Sequence, residues 1–490
     1  MKHRKMKVMI SYPPLVGKGN PKLSQNRQFQ WYHVPSFIYP LVPAMAATLL
    51  ERDLFDVLWN DCVAERMGPE DFERLIRTEK PDIIAFETKT PVIKQHWKII
   101  DQIKRNDPEC RVVLMGDHVT ALPLESMLNC SVDFVITGGD YDVSLLGIGR
   151  YVRGDGSELP KGVWYRRDGQ VKQTGTFELS HNLNHLPWIN RTLTKAHFYG
   201  EKWKKRVPFF YTMAGRDCPW GRCTFCAWTV MYDRFRVRSP DHVLDEIGFL
   251  IEEHGAKEVF DDTGTFPAGD WLRRFCRGMI ERGYNSDILF SANMRYGFLT
   301  PDLIALMKKA GFRKLKIGLE SANQKTLDRI NKGITVQDIL DDSRIISSEG
   351  IDIHLTVMVG YPWETREDVQ RTLDLAKKLM CEGHAEMLQA TIVIPYPGTS
   401  LHNLALQEGW FRFDPTQYDR YDMSEPVLRT PDMSAEDVVG ICRNVYETFL
   451  SPTYIWRHVR AVRSWSDVAY IAKGARSVLG HIMDFARIRT

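Results

Sequence analysis

Residues 208–228 read PFFYTMAGRDCPWGRCTFCAW, and they predict both a fold and a site. Residues 208–213 form an apolar run that is typical of a buried strand. Cys218, Cys223 and Cys226 follow within nine residues of one another. In a reducing compartment, cysteines clustered in this way indicate metal binding rather than disulfides. The stretch therefore predicts a metal centre in the loop that leaves a strand.

Six strand–helix units begin with this stretch. The predicted strands are residues 208–213, 257–260, 288–291, 314–318, 354–359 and 388–394. Helix signals stand between them, such as Ser239-Pro240 at the start of one helix and Gly255 at its end. Thr365 is the predicted cap of the helix 366–381. Six successive units predict a partial (β/α)6 barrel of the TIM type over residues 206–410, with its site at the carboxyl ends of the strands.

The first 150 residues also alternate strand and helix. The predicted strands are residues 7–11, 55–59, 82–86, 111–115 and 132–137, and the predicted helices are 38–52, 69–78 and 92–105. This alternation favours an α/β fold with a doubly wound parallel sheet over residues 1–150. Ligands of such a sheet bind beyond the carboxyl ends of its strands.

Two further regions complete the predicted organisation. Residues 151–205 are expected to be a linker with a hairpin, because Asp168-Gly169 is a two-residue turn signal. Residues 411–490 are expected to be helical, with helices at 435–450 and 456–488. The last helix carries an apolar stripe among basic residues, which is expected to pack against the barrel. The alternative for this stripe is contact with a membrane surface or with a phosphorylated substrate.

Bulk composition excludes several classes of protein. The 490-residue chain has a net charge of only +3, so we expect no nucleic-acid partner. It has no uninterrupted apolar run of about 18 residues, so no membrane span is expected. Nothing at the amino terminus is typical of a signal peptide, and a cytoplasmic location follows as an expectation.

Three thiolates can ligate three irons of a cubane cluster and leave the fourth iron open. A structural zinc site is the alternative, but zinc usually takes four ligands, and the loop around Cys218, Cys223 and Cys226 offers no further histidine or cysteine. The triplet resembles the C-x3-C-x2-C signature of radical S-adenosylmethionine (SAM) enzymes. Here four residues separate the first two cysteines, which enlarges one loop without changing the number of ligands. The resemblance implies a [4Fe–4S] cluster whose open iron binds SAM.

The resemblance spans about residues 208–409 and implies further SAM contacts at the strand ends. Phe225 lies between the last two cysteines, the segment 260–263 follows the second strand, and the segment 291–295 ends the third. The segment 318–321, Gly-Leu-Glu-Ser, follows the fourth. The SAM-binding residues implied are Phe225, Asp261, Asp262, Thr263, Ser291, Asn293, Arg295, Glu320, Gly360 and Pro397. The alternatives are a helix cap for either aspartate and a salt bridge at the barrel mouth for Glu320.

The N-terminal sheet resembles the cobalamin-binding domain that is fused to one large group of radical SAM enzymes. The cobalamin-binding residues implied are Pro14, Thr88, Thr90, Gly116, Asp117, His118, Thr120, Thr137, Gly138 and Gly139. The D-x-H-x-x-G motif of other cobalamin proteins does not follow the first strand. We expect His118 to be a hydrogen-bonded loop histidine rather than a cobalt ligand. A degenerate domain without cobalamin is the alternative.

The sequence therefore predicts a cobalamin-dependent radical SAM enzyme. Its 5′-deoxyadenosyl radical would take hydrogen from an unactivated carbon, followed by methyl transfer from methylcobalamin. The alternatives are cyclisation, oxidation or rearrangement without methyl transfer, and an iron–sulfur electron carrier that is not an enzyme. We also expect a small-molecule substrate and a one-electron reductant of the flavodoxin or ferredoxin type, and membrane contact by the C-terminal stripe would fit a lipid-like substrate. The residues named above are expected to bind cofactors, and the sequence assigns a catalytic role to no residue.

Overall fold

The structure is a computed structural model that describes residues 4–17, 19–22, 29–156 and 158–486. The predicted end of the last helix at Ile488 lies outside these residues, as do Arg487 and Arg489. The side chain of Phe485, part of the predicted apolar stripe, is also outside the described part.

The N-terminal part is built around one sheet. Its strands, together with those of a short hairpin, are β1 (Lys7–Tyr12), β2 (Asn20–Lys22), β3 (Gln30–Tyr32), β4 (Asp56–Asp61), β5 (Ile83–Glu87), β6 (Arg111–Met115) and β7 (Phe134–Ile136). Its helices are α1 (Leu41–Arg52), α2 (Cys62–Glu65), α3 (Pro69–Glu79), α4 (Ile93–Asn106), α5 (Asp117–Ala121), α6 (Pro123–Asn129) and α7 (Tyr141–Arg153).

This sheet has the predicted doubly wound topology. Its parallel strands lie in the order β4-β1-β5-β6-β7. Strands β1 and β5 are buried over nearly their whole length, because helices cover both faces of the sheet. Helix α1 begins three residues later than predicted, at Leu41, because Pro40 takes the N-cap position and has a non-helical backbone.

The predicted Asp168-Gly169 hairpin is confirmed, and it belongs to the N-terminal sheet. Strands β8 (Val163–Arg167) and β9 (Gln170–Gln173) pair antiparallel, and β8 pairs antiparallel with β7. The sheet thus continues past residue 150, where the sequence predicts a boundary. Side-chain periodicity marks a strand but does not name its neighbour, so the sequence could not place this hairpin.

The second half of the chain forms the predicted partial barrel. Its strands and two short accessory strands are β10 (Phe209–Thr212), β11 (Gly215–Arg216), β12 (Arg236–Val237), β13 (Glu258–Asp261), β14 (Leu289–Met294), β15 (Phe312–Glu320), β16 (Asp352–Val359) and β17 (Met387–Ile392). The helices are α8 (Trp228–Met231), α9 (Pro240–His254), α10 (Gly269–Glu281), α11 (Tyr284–Asp287), α12 (Pro301–Lys309), α13 (Gln324–Arg329), α14 (Val336–Ser348), α15 (Arg366–Glu382) and α16 (Ser400–Gln407).

Six barrel strands are parallel and lie in chain order, β10-β13-β14-β15-β16-β17, and among the described residues no pairing between β10 and β17 closes the ring. Predicted caps form as expected: the Ser239 side chain accepts from the His242 amide, and Thr365 forms a capping box with Asp368. Each strand therefore delivers its last residues to the same end of the open barrel, where the cysteine loop also lies.

The C-terminal region is helical, with two corrections to the prediction. Helix α17 (Ala435–Asn444) continues as a 3-10 turn through Leu450, and the predicted helix 456–488 is split into α18 (Pro452–Ala461) and α19 (Trp465–Ala486). The predicted packing of its apolar stripe is largely wrong. Val478 is buried, whereas Trp456 and Trp465 are exposed. In the described part of the chain, no helix has the length and apolar character needed to cross a bilayer.

Candidate functional site

The carboxyl ends of the two sheets meet across one cavity of about 280 Å³. The barrel provides most of its wall, and the N-terminal part provides Tyr32, Lys89 and Asp117. The predicted residues on the wall are Cys218, Cys223, Phe225, Cys226, Asn293, Arg295, Glu320 and Asp117. Sequence reasoning missed other wall residues, which are Tyr32, Lys89, Lys316, Lys332, Thr356, Met358, Gln389, Thr391, Tyr396 and Met423.

The cysteine loop is held from behind by two predicted SAM residues. The Asp261 carboxylate accepts from the Ala214 amide at 2.8 Å and from the Thr212 hydroxyl at 2.9 Å. The Thr263 hydroxyl accepts from the Gly215 amide at 2.9 Å. Asp261 and Thr263 are fully buried and are not on the cavity wall. In this geometry they position the backbone that leads into the cysteines.

The extra residue between the first two cysteines is accommodated by a turn at Gly221, whose φ is +56°. The Trp220 indole donates to the Asn331 carbonyl at 2.7 Å, and the Thr224 amide donates to the Ile330 carbonyl at 3.0 Å. The enlarged loop is therefore anchored to the end of α13 on both sides of Cys223.

The number of thiol ligands bears on which metal group fits. Cys218, Cys223 and Cys226 all line the cavity. A structural zinc site usually takes four protein ligands. Three thiolates fit a cubane cluster with one open iron better than a closed zinc site.

The charge balance of the thiols also fits a cationic group. Burial raises the pKa of Cys223, the Lys332 ammonium partly offsets this, and the nearby Glu320 and Cys218 raise the pKa further. Burial likewise raises the pKa of Cys226, with Cys223 and Cys218 adding to the effect. Three thiolates in so small a volume are unfavourable without positive charge between them, which bound iron supplies.

Arg295 is the strongest candidate to receive an anionic group of a ligand. Its side chain is buried on the cavity wall, and its guanidinium lies 4.3 Å from the ring centroid of Trp220. One terminal nitrogen donates to the Gly333 carbonyl at 2.8 Å, while Nε has no hydrogen-bond partner in the described part of the chain. A buried donor left over in this way suits a carboxylate ligand such as that of SAM.

Glu320 ends β15 in an unusual backbone conformation. Its φ is +61°, and the register of β15 against β16 shifts between Gly318 and Glu320. Its carboxylate accepts from Lys332 Nζ at 2.8 Å. Burial lowers the pKa of Lys332, but the Glu320 carboxylate outweighs this and leaves that pKa raised. Strained backbone at a cavity wall is typical of a functional site, and here it turns the Glu320–Lys332 ion pair toward the cysteines.

The remaining predicted SAM residues lie off the wall. Asp262 accepts from the Asn293 side chain at 3.3 Å and so lies behind it. Ser291 is fully buried, and its hydroxyl has no partner among the described residues. A side chain at Gly360 would come within 3.3 Å of Val438, and Pro397 lies in the turn after β17. These two positions shape loops rather than the cavity itself.

On the N-terminal edge, one buried ion pair reaches the cavity. Lys89 Nζ lies 2.8 Å from the Asp117 carboxylate, and both side chains are nearly inaccessible to solvent. Lys89 follows the predicted Thr88, so its place at a strand end was a signal available in the sequence. The pair gives this edge polar groups of both signs, which suits a ligand with amide side arms.

Other predicted cobalamin residues form hydrogen bonds with side chains of the protein. His118 Nδ1 lies 3.1 Å from the Thr90 hydroxyl, and His118 Nε2 lies 3.2 Å from Glu125. The His118 side chain is completely buried and hydrogen-bonded as expected, but it lies in helix α5 and not in a loop. The Thr88 hydroxyl similarly pairs with His96 Nδ1 at 2.8 Å.

The three predicted glycines lie so close to neighbouring protein atoms that a side chain there would overlap them. A Cβ on Gly116, where φ is +126°, would come within 2.4 Å of the Thr88 carbonyl oxygen, and a Cβ on Gly138 or Gly139 would overlap Phe177 or Tyr232. The Thr120 hydroxyl donates to the Gly116 carbonyl at 2.7 Å and accepts from the Gly138 amide at 3.1 Å. Thr137 and Pro14 also lie off the cavity wall. The Thr137 hydroxyl donates to the Gly162 carbonyl at 2.7 Å, and Pro14 lines other clefts of the N-terminal domain.

A buried ion-pair network joins the cysteine loop to the N-terminal domain. Arg216 donates to Asp140 at 2.7 Å and to Asp142 at 2.9 Å. Arg236 Nη2 and His181 Nδ1 also contact Asp140, at 2.6 and 2.9 Å. Burial alone would raise the pKa of Asp140, but Arg216 and its neighbours hold it well below its usual range. Two arginines already neutralise this cluster, so it acts as a tie between the domains.

Two family models match the chain. The model of the B12 binding domain matches residues 33–143, and that of the radical SAM superfamily matches residues 213–376. An uncharacterized methyltransferase of Pyrococcus horikoshii is 29% identical over 459 residues, which is 88% of this chain and 94% of that protein. The anaerobic magnesium-protoporphyrin IX monomethyl ester cyclase of Rubrivivax gelatinosus is 24% identical over 83% of this chain and 73% of its own length.

Two solved structures share the whole architecture. The radical SAM methyltransferase TsrM of Kitasatospora setae, solved with cobalamin and a [4Fe–4S] cluster, aligns over 99% of this chain and 100% of its own, with TM-score 0.68 and 14% identity. The cobalamin-dependent radical SAM enzyme OxsB aligns over 98% of this chain and 72% of its own, with TM-score 0.68 and 13% identity. The chain therefore combines a B12 binding domain with a domain of the radical S-adenosylmethionine superfamily, and the two solved structures share this fold.

Proposed function

We propose that Cys218, Cys223 and Cys226 hold a [4Fe–4S] cluster, and that SAM binds beside it between Arg295 and Glu320. One observation carries this proposal: all five side chains line a single cavity at the carboxyl ends of the barrel strands. When both cofactors are bound, they supply one-electron cleavage of SAM to a 5′-deoxyadenosyl radical that abstracts hydrogen from an unactivated carbon.

The chain's own residues orient these cofactors and keep water from them. Arg295 offers its free Nε to the carboxylate of SAM, and Glu320 offers an acceptor to its amino group or ribose. Asp261 and Thr263 act behind the cysteine loop and fix its backbone. Phe225 lies between the last two cysteines on the cavity wall, where it can cover the adenine.

We propose that cobalamin binds at the N-terminal edge of the same cavity, next to Lys89 and Asp117. No histidine is among the cavity-lining residues in the described part of the chain, and His118 is fully engaged elsewhere. Lys89 and Asp117 would hold cobalamin at this edge, and bound cobalamin would supply a methyl group for transfer. Methyltransferases are among the relatives.

Ring closure or oxidation without methyl transfer is the second candidate, because one relative is a cyclase. An electron carrier that is not an enzyme is disfavoured, since it needs no cavity of this size. The inner wall formed by Lys316, Thr356, Gln389 and Thr391 mixes charge and hydroxyl groups with Met358. We propose a small-molecule substrate with both polar and apolar surface.

We place the reaction in the cytoplasm, with a flavodoxin- or ferredoxin-type protein as the electron donor. All nine cysteines are free in the structure, as expected in a reducing compartment. Each turnover consumes one electron that no residue of this chain supplies, so an external reductant is required.

The test uses full-length protein purified and reconstituted without oxygen. Wild type should bind iron and sulfide and release 5′-deoxyadenosine from SAM after reduction. Cys223→Ala should lose both properties, whereas Cys381→Ala, a half-buried cysteine far from the loop, should keep them. Zinc in place of iron, or normal cleavage by Cys223→Ala, would refute the cluster assignment. Corrin absorbance retained on gel filtration distinguishes the cobalamin-dependent reading from the alternative without cobalamin.

A further inference from the structure

The charge of the molecule is concentrated in its last 40 residues. Residues 451–490 contain seven lysines and arginines and only two aspartates, a net charge of +5. Because the whole chain carries +3, the rest of the protein carries −2. Among the described residues of this segment, Arg460, Arg463, Lys473 and Arg476 are exposed. The protein is therefore strongly polarised, with one basic region on an otherwise slightly acidic molecule.

The same region exposes large apolar side chains in an ordered pattern. On α19, Trp465, Val468, Leu479 and Met483 are all exposed, with Trp465 at 88%. At 100° per residue these four side chains project within about 60° of one another along the helix. Val478 projects from a different side of α19 and is buried. The helix thus has one face packed on the protein and a second apolar face turned to solvent.

The exposed face of α19 is continuous with that of α18. Ile455, Trp456 and Val459 on α18 are about half exposed. Ile455 and Val459 line, together with Leu479 of α19, a cleft of about 590 Å³. The two helices therefore present a single apolar surface with a cleft between them. We call this surface, defined by Ile455, Trp456, Val459, Trp465, Val468, Leu479 and Met483, the tail face.

We propose that the tail face docks onto the surface of an anionic lipid bilayer. Its two tryptophans and its aliphatic residues suit the boundary between headgroups and acyl chains, and the flanking arginines and lysine suit acidic headgroups. A second copy of the chain fits less well, because two such basic faces would repel each other across a symmetric interface. Charge complementarity thus selects an acidic surface as the occupant.

Docking in this orientation leaves the cysteine cavity accessible. The cleft is bordered by Asp352 and Met387, which begin β16 and β17. The cysteine cavity lies at the opposite, carboxyl ends of the barrel strands. A bilayer on the tail face would therefore lie against the far end of the barrel. The proposal does not depend on the cofactors, and iron content serves as a separate check of folding.

The test is co-sedimentation of the full-length holoenzyme with vesicles of phosphatidylcholine, with and without phosphatidylglycerol. Wild type should sediment with the phosphatidylglycerol vesicles and be released by high salt. The double variant Arg463→Ala/Arg476→Ala should lower the partition coefficient roughly thirty-fold, from about one kcal/mol per basic residue near the surface. Trp465→Ser should also weaken binding, because it removes the most exposed apolar anchor.

Matched controls are available elsewhere on the surface. Leu128 is 71% exposed on α6 and Arg167 is exposed in the hairpin, so Leu128→Ser and Arg167→Ala should bind like wild type. Equal sedimentation with both kinds of vesicle, or unchanged binding by both tail variants, would overturn the proposal. A concentration-dependent dimer that Trp465→Ser abolishes would overturn it as well, since it would assign the tail face to a second copy.

Discussion

Replacing Arg216 by alanine is expected to weaken the tie between the cysteine loop and the N-terminal domain. Arg216 lies two residues before Cys218, and its guanidinium reaches across to Asp140 and Asp142. Asp142 is fully buried and pairs with no other cation within the described residues. Asp140 keeps Arg236 and His181 when Arg216 is removed. The variant therefore leaves one carboxylate buried and unpaired.

The size of the effect follows from that unpaired carboxylate. Removing one partner of a buried ion pair costs about 3–5 kcal/mol, because the remaining charge is neither solvated nor paired. At about 2–4 °C per kcal/mol for domains of 150–250 residues, the melting temperature should fall by roughly 6–20 °C. Arg236→Ala should cost less, since Asp140 retains two other partners.

Thermal unfolding of the metal-free protein, followed by circular dichroism, gives the size of the loss. Hydrogen–deuterium exchange gives its location, which should be residues 215–228 and the start of α7. Adding Asp142→Ala to Arg216→Ala should restore part of the stability, because it removes the unpaired carboxylate. The reasoning is refuted if Arg216→Ala and Arg236→Ala lose equal stability, or if exchange at the cysteine loop is unchanged.

Three further variants test other parts of the structure. Burial raises the pKa of Asp261 to about 6 from 3.8, so the folded state binds the extra proton between these values and its stability falls as pH rises through them. The free energy of unfolding of Asp261→Asn, relative to that of wild type, should therefore increase by up to about 3 kcal/mol from about pH 4 to pH 7. Denaturant unfolding at several pH values measures it, and a difference in stability that does not change with pH would contradict the prediction. Gly116→Ala should destabilise the N-terminal domain by several kcal/mol, on the order of other strained-backbone substitutions. The reason is that the new Cβ would lie 2.4 Å from the Thr88 carbonyl oxygen, at a residue whose φ is +126°. A melting temperature equal to that of wild type would contradict this prediction. Lys332→Met should weaken SAM binding in calorimetry by about tenfold, since Glu320 loses its ion-pair partner at 2.8 Å, while Lys308→Met on the exposed surface should not.

Much of the fold could be predicted because it depends on local patterns. The βα alternation of both halves, the caps at Ser239 and Thr365, and the Asp168-Gly169 turn are each encoded within a few residues. The errors arose where a choice depended on distant neighbours. The hairpin joined the N-terminal sheet, and the tail stripe was left exposed because α19 packs through a different face.

The residues of the candidate site also fall into those that local motifs predicted and those that depend on tertiary contacts. The cysteine triplet, Arg295 and Glu320 stood out from their motifs at strand ends, and all of them line the cavity. Asp261 had the right position but faces the backbone of the cysteine loop, which motif matching does not reveal. Lys332 and Gln389 reach the cavity without a motif of their own, whereas Lys89 stood beside Thr88 at a predicted strand end and was still missed.

The sequence by itself determined the alternation of strands and helices in both halves and which three cysteines lie in one loop, because these follow from residue spacing along the chain. Only the tertiary structure decided how the two sheet edges face each other, that Arg216 ties them together, and which side of α19 meets solvent. Such contacts join residues far apart in sequence, and their energy depends on burial and on charge pairing across the interface. Neither quantity exists before the chain has folded.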